Sequence, residues 1–501
     1  MNIKEAKQEI VNTVHAYLAK DESGNYVIPT ERQRPVLLMG PPGIGKTSIM
    51  EQPARESGIN LVSYTITHHT RQSAIGLPFI AKKNYGGQEM SVTEYTMSEI
   101  IAAVYEQIEL SGIKEGILFL EEINCVSETL APTMLQFLQY KTFGNHKVPE
   151  GFIIVTAGNP PEYNKSVRDF DIVTYDRVKR IDIEEDFTVW KEYAYKAQIH
   201  GAILAYLEIR KKNFYFVVSD LDGKRFVTAR GWEDLSCIMK VYEKLELPIT
   251  YDLVIQYLQD PEIARDFSNY YELYNKYNHI YRIPAILEGE IPENAMQLKD
   301  APFDERFSIL GLLLDRLGQE FARYAQEKAA QEILLEQLSY LRENLKEGRG
   351  TAEELLARQQ ESYSAMLARK KKSGLLTKEE EKEKNAAILL MQQCMERIIA
   401  EGSGNPKEDF GCAKVYFDEK EAERQKELQA TGEHLTNAIH FITGIFSEGQ
   451  ELVIFLTELA AGYYSLKFIN ECGNEEYFHY NKKLLLKEQK AQLREEALKL
   501  L

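Results

Sequence analysis

The sequence predicts an α/β domain built on a parallel sheet with helices on both faces, then a smaller helical domain and a long, largely α-helical carboxy-terminal region. Three observations carry this reading. Short apolar runs without alternation, PVLLM ending at Met39, INLVSYTI from Ile59, GILFL from Gly116 and GFIIVTA from Gly151, are separated by amphipathic segments, as buried parallel strands with crossover helices require. A glycine-rich segment, Gly40 to Thr47, stands directly after the first run. Beyond Phe187 the strand signals largely vanish and helical spacing takes over, with Pro248 and Pro261 as punctuation.

These signals divide the chain into an amino-terminal helix and linker (1–30), the α/β domain (31–186), a helical lid (187–300) and a helical carboxy-terminal region (301–501). A chain of 501 residues has room for about three domains of ~150 residues. In the last region Leu334, Leu338, Leu341 and Leu345 step along one helix face, which suits a helical hairpin or short coiled coil. Turns or exposed linkers are expected around Gly348, Gly374 and Pro406.

Sixty Lys and Arg against 77 Asp and Glu give a net charge of -17. That balance argues against a broadly basic nucleic-acid coat or an anionic-lipid binder. Five scattered cysteines without a C-x-x-C pair suit a reducing compartment, so a cytoplasmic location is expected. The charged amino terminus does not read as a signal peptide. The stretch Leu435 to Tyr464 is interrupted by Glu448, Glu451 and Glu458 and reads as buried helix rather than a membrane span.

Gly40-Pro41-Pro42-Gly43-Ile44-Gly45-Lys46-Thr47 is a complete G-x-x-x-x-G-K-T between a strand and a helix opened by Ser48. Its glycines let successive backbone N–H groups turn toward phosphate oxygens, and the helix adds the partial positive charge of its amino end. Lys46 would reach the β- and γ-phosphates, and the Thr47 hydroxyl would ligate magnesium. Such chemistry needs a carboxylate for the metal and a group to orient water. Ile117-Leu118-Phe119-Leu120-Glu121-Glu122 supplies both at a strand's carboxyl end, where open α/β sheets place their ligands. Glu121 would face Mg2+ through water, and Glu122 would polarise the attacking water. Asn159, after the run Phe152 to Ala157, would bond both that water and the γ-phosphate.

Together and in this order, these residues resemble the AAA+ ATPases, and within them the MoxR-like branch. The resemblance covers about Pro35 to Ile238 and extends to Ile75-Gly76-Leu77-Pro78, the segment from Thr129 to Leu138, Val155-Thr-Ala-Gly-Asn159-Pro160 and Tyr175-Asp176-Arg177-Val178. It implies ATP and Mg2+ as cofactors, with Gly40 to Ser48 binding nucleotide and Thr47 and Glu121 serving the metal. It implies that Arg177, with Arg180 as second choice, reaches into a neighbouring subunit's site. It also implies that Arg230, in Thr228-Ala229-Arg230-Gly231-Trp232, contacts the γ-phosphate in cis and couples the lid to nucleotide state. The chain departs from the family pattern at Glu121, where Asp is usual, and at Ala229, where Pro is common. The segment Phe79 to Thr96 sits where this branch inserts a β-hairpin, with Tyr85-Gly86-Gly87 as its turn.

The implied function is an ATP-hydrolysing motor or chaperone-like protein, acting as a ring, commonly a hexamer, on a protein client that in this branch often has a von Willebrand A fold. Two alternatives stay open: a nucleic-acid-remodelling AAA+ protein, which the acidic balance disfavours, and a nucleotide-gated scaffold with little hydrolysis, which Glu121 favours. The carboxy-terminal helices lie outside the shared pattern and would recruit a partner or brace the ring. His68 and His69, adjacent on an extended strand, would point to opposite faces and not chelate one ion. Cys125 reads as an inert thiol, and Asn269 to Tyr274 as helix packing.

Overall fold

A computed structural model describes residues 1–68, 71–143, 146–163, 170–220, 223–372 and 376–484. Its strands are β1 (Val36–Met39), β2 (Asn60–Thr65), β3 (Pro78–Tyr85), β4 (Gln88–Tyr95), β5 (Gly116–Glu121), β6 (Thr142–Phe143), β7 (His146–Lys147), β8 (Phe152–Gly158), β9 (Lys179–Asp182), β10 (Phe216–Asp220) and β11 (Gly223–Val227). The helices run α1 (Ile3–Leu18), α2 (Ser48–Glu56), α3 (Arg71–Ile75), α4 (Glu99–Ser111), α5 (Ala131–Tyr140), α6 (Ile172–Tyr175), α7 (Phe187–Lys196), α8 (Gly201–Ile209) and α9 (Ala229–Lys244). They continue as α10 (Tyr251–Leu258), α11 (Pro261–Tyr281), α12 (Ile283–Leu287), α13 (Phe303–Lys346), α14 (Ala352–Lys372), α15 (Lys378–Glu401), α16 (Pro406–Phe446), α17 (Gln450–Ala461) and α18 (Tyr463–Cys472). The chain forms two compact units, one of Met1–Val189 with Ala368–Thr377, the other of Trp190–Leu367 with Lys378–Leu501.

The first unit is built on a five-stranded sheet of order β2-β5-β8-β1-β9, parallel at every pairing. Alternate side chains go to opposite faces. Val36, Leu38, Ile117, Phe119, Ile153 and Val155 pack with α1 and α2 through Ala6, Ile10, Ile49 and Met50. Leu37, Met39, Leu118, Leu120 and Ile154 pack with α4 and α5 through Ile100, Val104, Met134 and Phe137. Both faces are therefore covered, which is why the strands read as unbroken apolar runs. The helix α1 starts on a capping box, in which the Asn2 side chain accepts from the Glu5 amide and the Glu5 carboxylate accepts from the Asn2 amide.

The expected hairpin is present. Strands β3 and β4 pair from Pro78↔Tyr95 to Tyr85↔Gln88, and Gly86 and Gly87 turn between them at φ 61° and 90°, the left-handed region a tight two-residue turn demands. His68 closes a short 3₁₀ turn (Ile66–His68) rather than an extended strand, which corrects the geometry expected for it; His69 lies outside the described residues.

The second unit is largely helical, with one departure from expectation. Strands β10 and β11 form an antiparallel hairpin, with Val217 opposite Phe226, inside a region where strand signals largely vanish from the sequence. The tyrosine run is helix packing, since Tyr270, Tyr271 and Tyr274 are buried and Tyr206, Trp232 and Phe267 stack edge to face or tilted in the same cluster. Leu334, Leu338, Leu341 and Leu345 meet Leu356 of α14, Met391 and Cys394 of α15 and Ala413 of α16. Their seam serves a four-helix cluster rather than a two-helix coil. The stretch Leu435 to Tyr464 is not one helix: α16 ends at Phe446 and α17 begins at Gln450, after Ser447 takes a left-handed φ of 56°. Among the described residues no single helix is long and apolar enough to cross a membrane; α17 and α18 together have that length and composition but are bent by 90°. The turn expected around Gly374 lies outside the described residues.

Candidate functional site

The sheet order decides where the candidate residues meet. Met39 at the end of β1 pairs with Gly158 of β8, and Leu120 of β5 pairs with Thr156 of the same strand. The phosphate loop, the acidic pair and Asn159 therefore leave three adjacent strands at one edge of the sheet, the carboxyl edge, where this class of fold gathers ligands.

Two different constraints shape the loop. At Gly40 the reason for glycine is space, because a Cβ would lie 2.7 Å from the Ile183 carbonyl oxygen of the chain leaving β9. At Gly43 and Gly45 the reason is conformation, with φ of 74° and 92°, and a Cβ at Gly45 would meet no neighbour. Left-handed residues alternating with ordinary ones curl the backbone into an anion-binding concavity. Lys46 lies over its mouth. Its ammonium donates to the carbonyls of Gly40 and Pro41, each at 2.7 Å, and to Oδ1 of Asn159 at 2.8 Å. The cation expected to hold phosphate and the amide expected to sense it are thus in direct contact. Thr47 immediately precedes α2 as its N-cap; its side chain makes no capping bond and the residue is exposed.

Glu121 is the last residue of β5, opposite Thr65 of β2, and Glu122 follows at φ 57°. A non-glycine residue in that region carries strain of about 1–3 kcal/mol, and such strain concentrates where a functional group must be held in place. The turn is fixed from both sides: the Ile123 amide donates to the Ala157 carbonyl at 3.0 Å and the Cys125 amide to the Glu122 carbonyl at 2.9 Å.

Asn124 is the residue the sequence reading missed. It is buried, its Nδ2 donates to the Asn159 carbonyl at 2.8 Å, and its Oδ1 accepts from the Asn159 amide at 3.3 Å. This reciprocal pair locks the turn after β5 to the turn after β8. Gly158 makes room for it, since a Cβ there would lie 2.7 Å from the Asn124 Oδ1. Asn124 holds the backbone of Asn159 at both its amide and its carbonyl. Replacing it by Ala should lower phosphate release at saturating ATP about tenfold and cost about 1–3 kcal/mol of stability by removing both hydrogen bonds to the part-buried Asn159 backbone; steady-state kinetics and urea denaturation measure the two effects.

The two candidate arginines differ. Arg180 is engaged within its own chain: its Nε donates to Asp182 Oδ1 at 2.8 Å, and its guanidinium lies 4.8 Å over the Tyr175 ring. Arg177, in the turn after α6, is exposed and enters no ion pair among the described residues, so the surface pairing with Asp176 or Asp182 that would make it ordinary is not formed. Arg230 belongs to the second unit. It is exposed and is the second residue of α9, whose amino end is capped by the Thr228 hydroxyl accepting from the Gly231 amide at 3.2 Å. Ala229 occupies the first helical position, where proline is equally at home.

Residues 35–178, from just before β1 to just before β9, match the AAA domain (dynein-related subfamily). The chain carries an AAA domain. The match makes residues 35–178 a nucleotide-binding domain of an ATPase class, and it is compatible with the MoxR-like resemblance without selecting that branch. No curated protein matches the chain.

The residues of this AAA domain fit the divalent ion that accompanies ATP. The Thr47 hydroxyl and the Glu121 carboxylate are hard oxygen donors, and Mg2+ is held in such sites by one or two protein oxygens together with substrate phosphates rather than by a protein cage. Among the described residues no three His, Cys, Asp or Glu side chains gather to hold a metal by themselves. When bound, Mg2+ would neutralise charge on the phosphates.

Proposed function

We propose that this protein is an ATP-hydrolysing AAA+ machine of MoxR-like type that assembles into a ring, a hexamer being usual for that branch, and remodels or activates a protein client. The observation that supports it most directly is the contact of Lys46 with Asn159 at the sheet edge where Glu122 emerges, which brings the cradle and the γ-phosphate sensor into contact. In this reading Gly40 to Ser48 grip ATP, Thr47 and Glu121 serve Mg2+, and Glu122 accepts a proton from the attacking water. Arg177 from a neighbour stabilises the charge that develops on the transferred phosphoryl group, and Arg230 carries the change to the helical lid. Arg177 is preferred to Arg180 as the neighbour's arginine because it enters no ion pair among the described residues, whereas Arg180 is held by Asp182.

A protein client is supported by the β3–β4 hairpin, which holds Phe79, Ile80, Tyr85 and Met90 exposed, Ile80 at 77 %. Exposed apolar side chains grouped on one small element mark an interaction surface. A von Willebrand A domain as client, and a cytoplasmic setting, follow from the resemblance and composition alone.

Phosphate release measured across protein concentrations tests the proposal. Specific activity should rise as subunits assemble. Activity absent at every concentration would favour the nucleotide-gated scaffold that Glu121 allows, and full activity at the lowest concentration would remove the shared site.

A further inference from the structure

A second cavity lies far along the chain from the nucleotide site, wholly within the second unit. It is a cavity of about 470 Å³ between α8, α9, α13 and the α17–α18 corner, within the size range of small-molecule sites. Glycines form part of its wall. A Cβ at Gly318 would meet nothing within 4 Å, one at Gly311 would press on Ala205 at 2.7 Å, and one at Gly201 would collide with the Asp315 carboxylate.

Four carboxylates line this cavity, and three are already matched. Glu208 and Glu458 share Lys191, at 2.7 and 2.6 Å, with Lys211 on Glu208 at 2.7 Å and the Tyr195 hydroxyl on Glu458. Glu243 accepts from the Tyr271 hydroxyl at 2.7 Å and lies 2.8 Å from His200 Nε2. Asp315 differs. Its Oδ2 accepts from Gln319 Nε2 at 3.0 Å, and it enters no ion pair among the described residues.

The two basic groups that act on Asp315 make their hydrogen bonds elsewhere. Lys240 turns its ammonium onto the Gln198 carbonyl, and His200 is committed to Glu243. Behind Gly311, the Tyr274 hydroxyl is buried without a hydrogen-bond partner. Burial drives the Asp315 carboxyl above its ordinary value, against the opposing pull of His200 and Lys240 and with the repulsion of Glu243. A carboxylate on a cavity wall that enters no ion pair can gain a charge-assisted hydrogen bond from a cation that arrives there. Part of the remaining wall suits the body of such a cation: Leu204, Phe307, Leu314 and Phe321 line it together with Tyr463, Tyr464 and Lys244.

We propose that this cavity is a binding site for a small organic cation, a protonated amine or guanidinium on an apolar body, with its charged group on Asp315. The site is independent of the nucleotide-binding reading.

Isothermal titration calorimetry on the full chain tests it, with 2-phenylethylamine, agmatine and spermidine as probes and 2-phenylethanol as the uncharged counterpart. At least one amine should bind saturably and the alcohol at least tenfold more weakly. Asp315→Asn should weaken the amine at least tenfold, the loss expected when a charge-assisted bond becomes neutral. Gly318→Leu, which fills the cavity and leaves Asp315 in place, should also abolish binding and decides the matter if Asp315→Asn fails to fold. Saturable binding by none of the three amines would overturn the proposal, as would binding that both folded variants retain.

Discussion

Replacing Arg177 by Ala should lower steady-state ATP hydrolysis by roughly 10³-fold or more, the loss seen where a guanidinium that meets the transferred phosphoryl group is removed. ATP affinity should change little, because Arg177 leaves the chain beyond α6 while the cradle is made by Gly40 to Ser48. Arg180→Ala supplies the contrast. That side chain is already spent on Asp182 and the Tyr175 ring, and an exposed pair of this kind is worth about 1 kcal/mol or less. Its loss should leave turnover within a fewfold of the parent. Phosphate release and nucleotide titration on both variants check the assignment, and equal losses from the two would remove it.

Glu122→Gln should abolish turnover by at least ~10²-fold, the usual contribution of a general base, while preserving ATP binding. The substitution keeps shape and hydrogen-bonding reach but removes the proton acceptor. It also keeps the left-handed turn, since Gln pays the same backbone strain as Glu at φ 57°, so the variant should fold as the parent does. Trapped with ATP, it should hold its client long enough for isolation. Comparable phosphate release from Glu122→Gln and the parent would show that this carboxylate takes no proton.

The parts of the site that were legible in the sequence are those whose physics is local. Gly40, Gly43 and Gly45 answer to steric and dihedral demands within one short loop, and the apolar run ending in Glu121 and Glu122 announces both a buried strand and what its end presents. Asn124 was not legible, because its partner Asn159 is brought to it only when β5 pairs with β8. The departure of Glu122 into the left-handed region was equally hidden, since it accompanies the Ile123 amide reaching across to the Ala157 carbonyl of β8. In the second unit, β10 and β11 are short and set among helices, so helical periodicity on either side masked them. Asp315 shows the same limit. Nothing in its neighbours along α13 reveals that Gly201 of α8 leaves space for it, and its exceptional status emerges only when each of the other three carboxylates is found matched.

The shared site is tested most directly by mixing two inactive variants. In a mixed ring, a subunit carrying Arg177→Ala keeps its own Glu122, and a Glu122→Gln neighbour can lend it an intact Arg177. Phosphate release from the mixture should therefore recover to a substantial fraction of the parent's, although each variant alone is nearly silent. A mixture as silent as its components, under conditions where the two are shown to assemble together, would contradict the account.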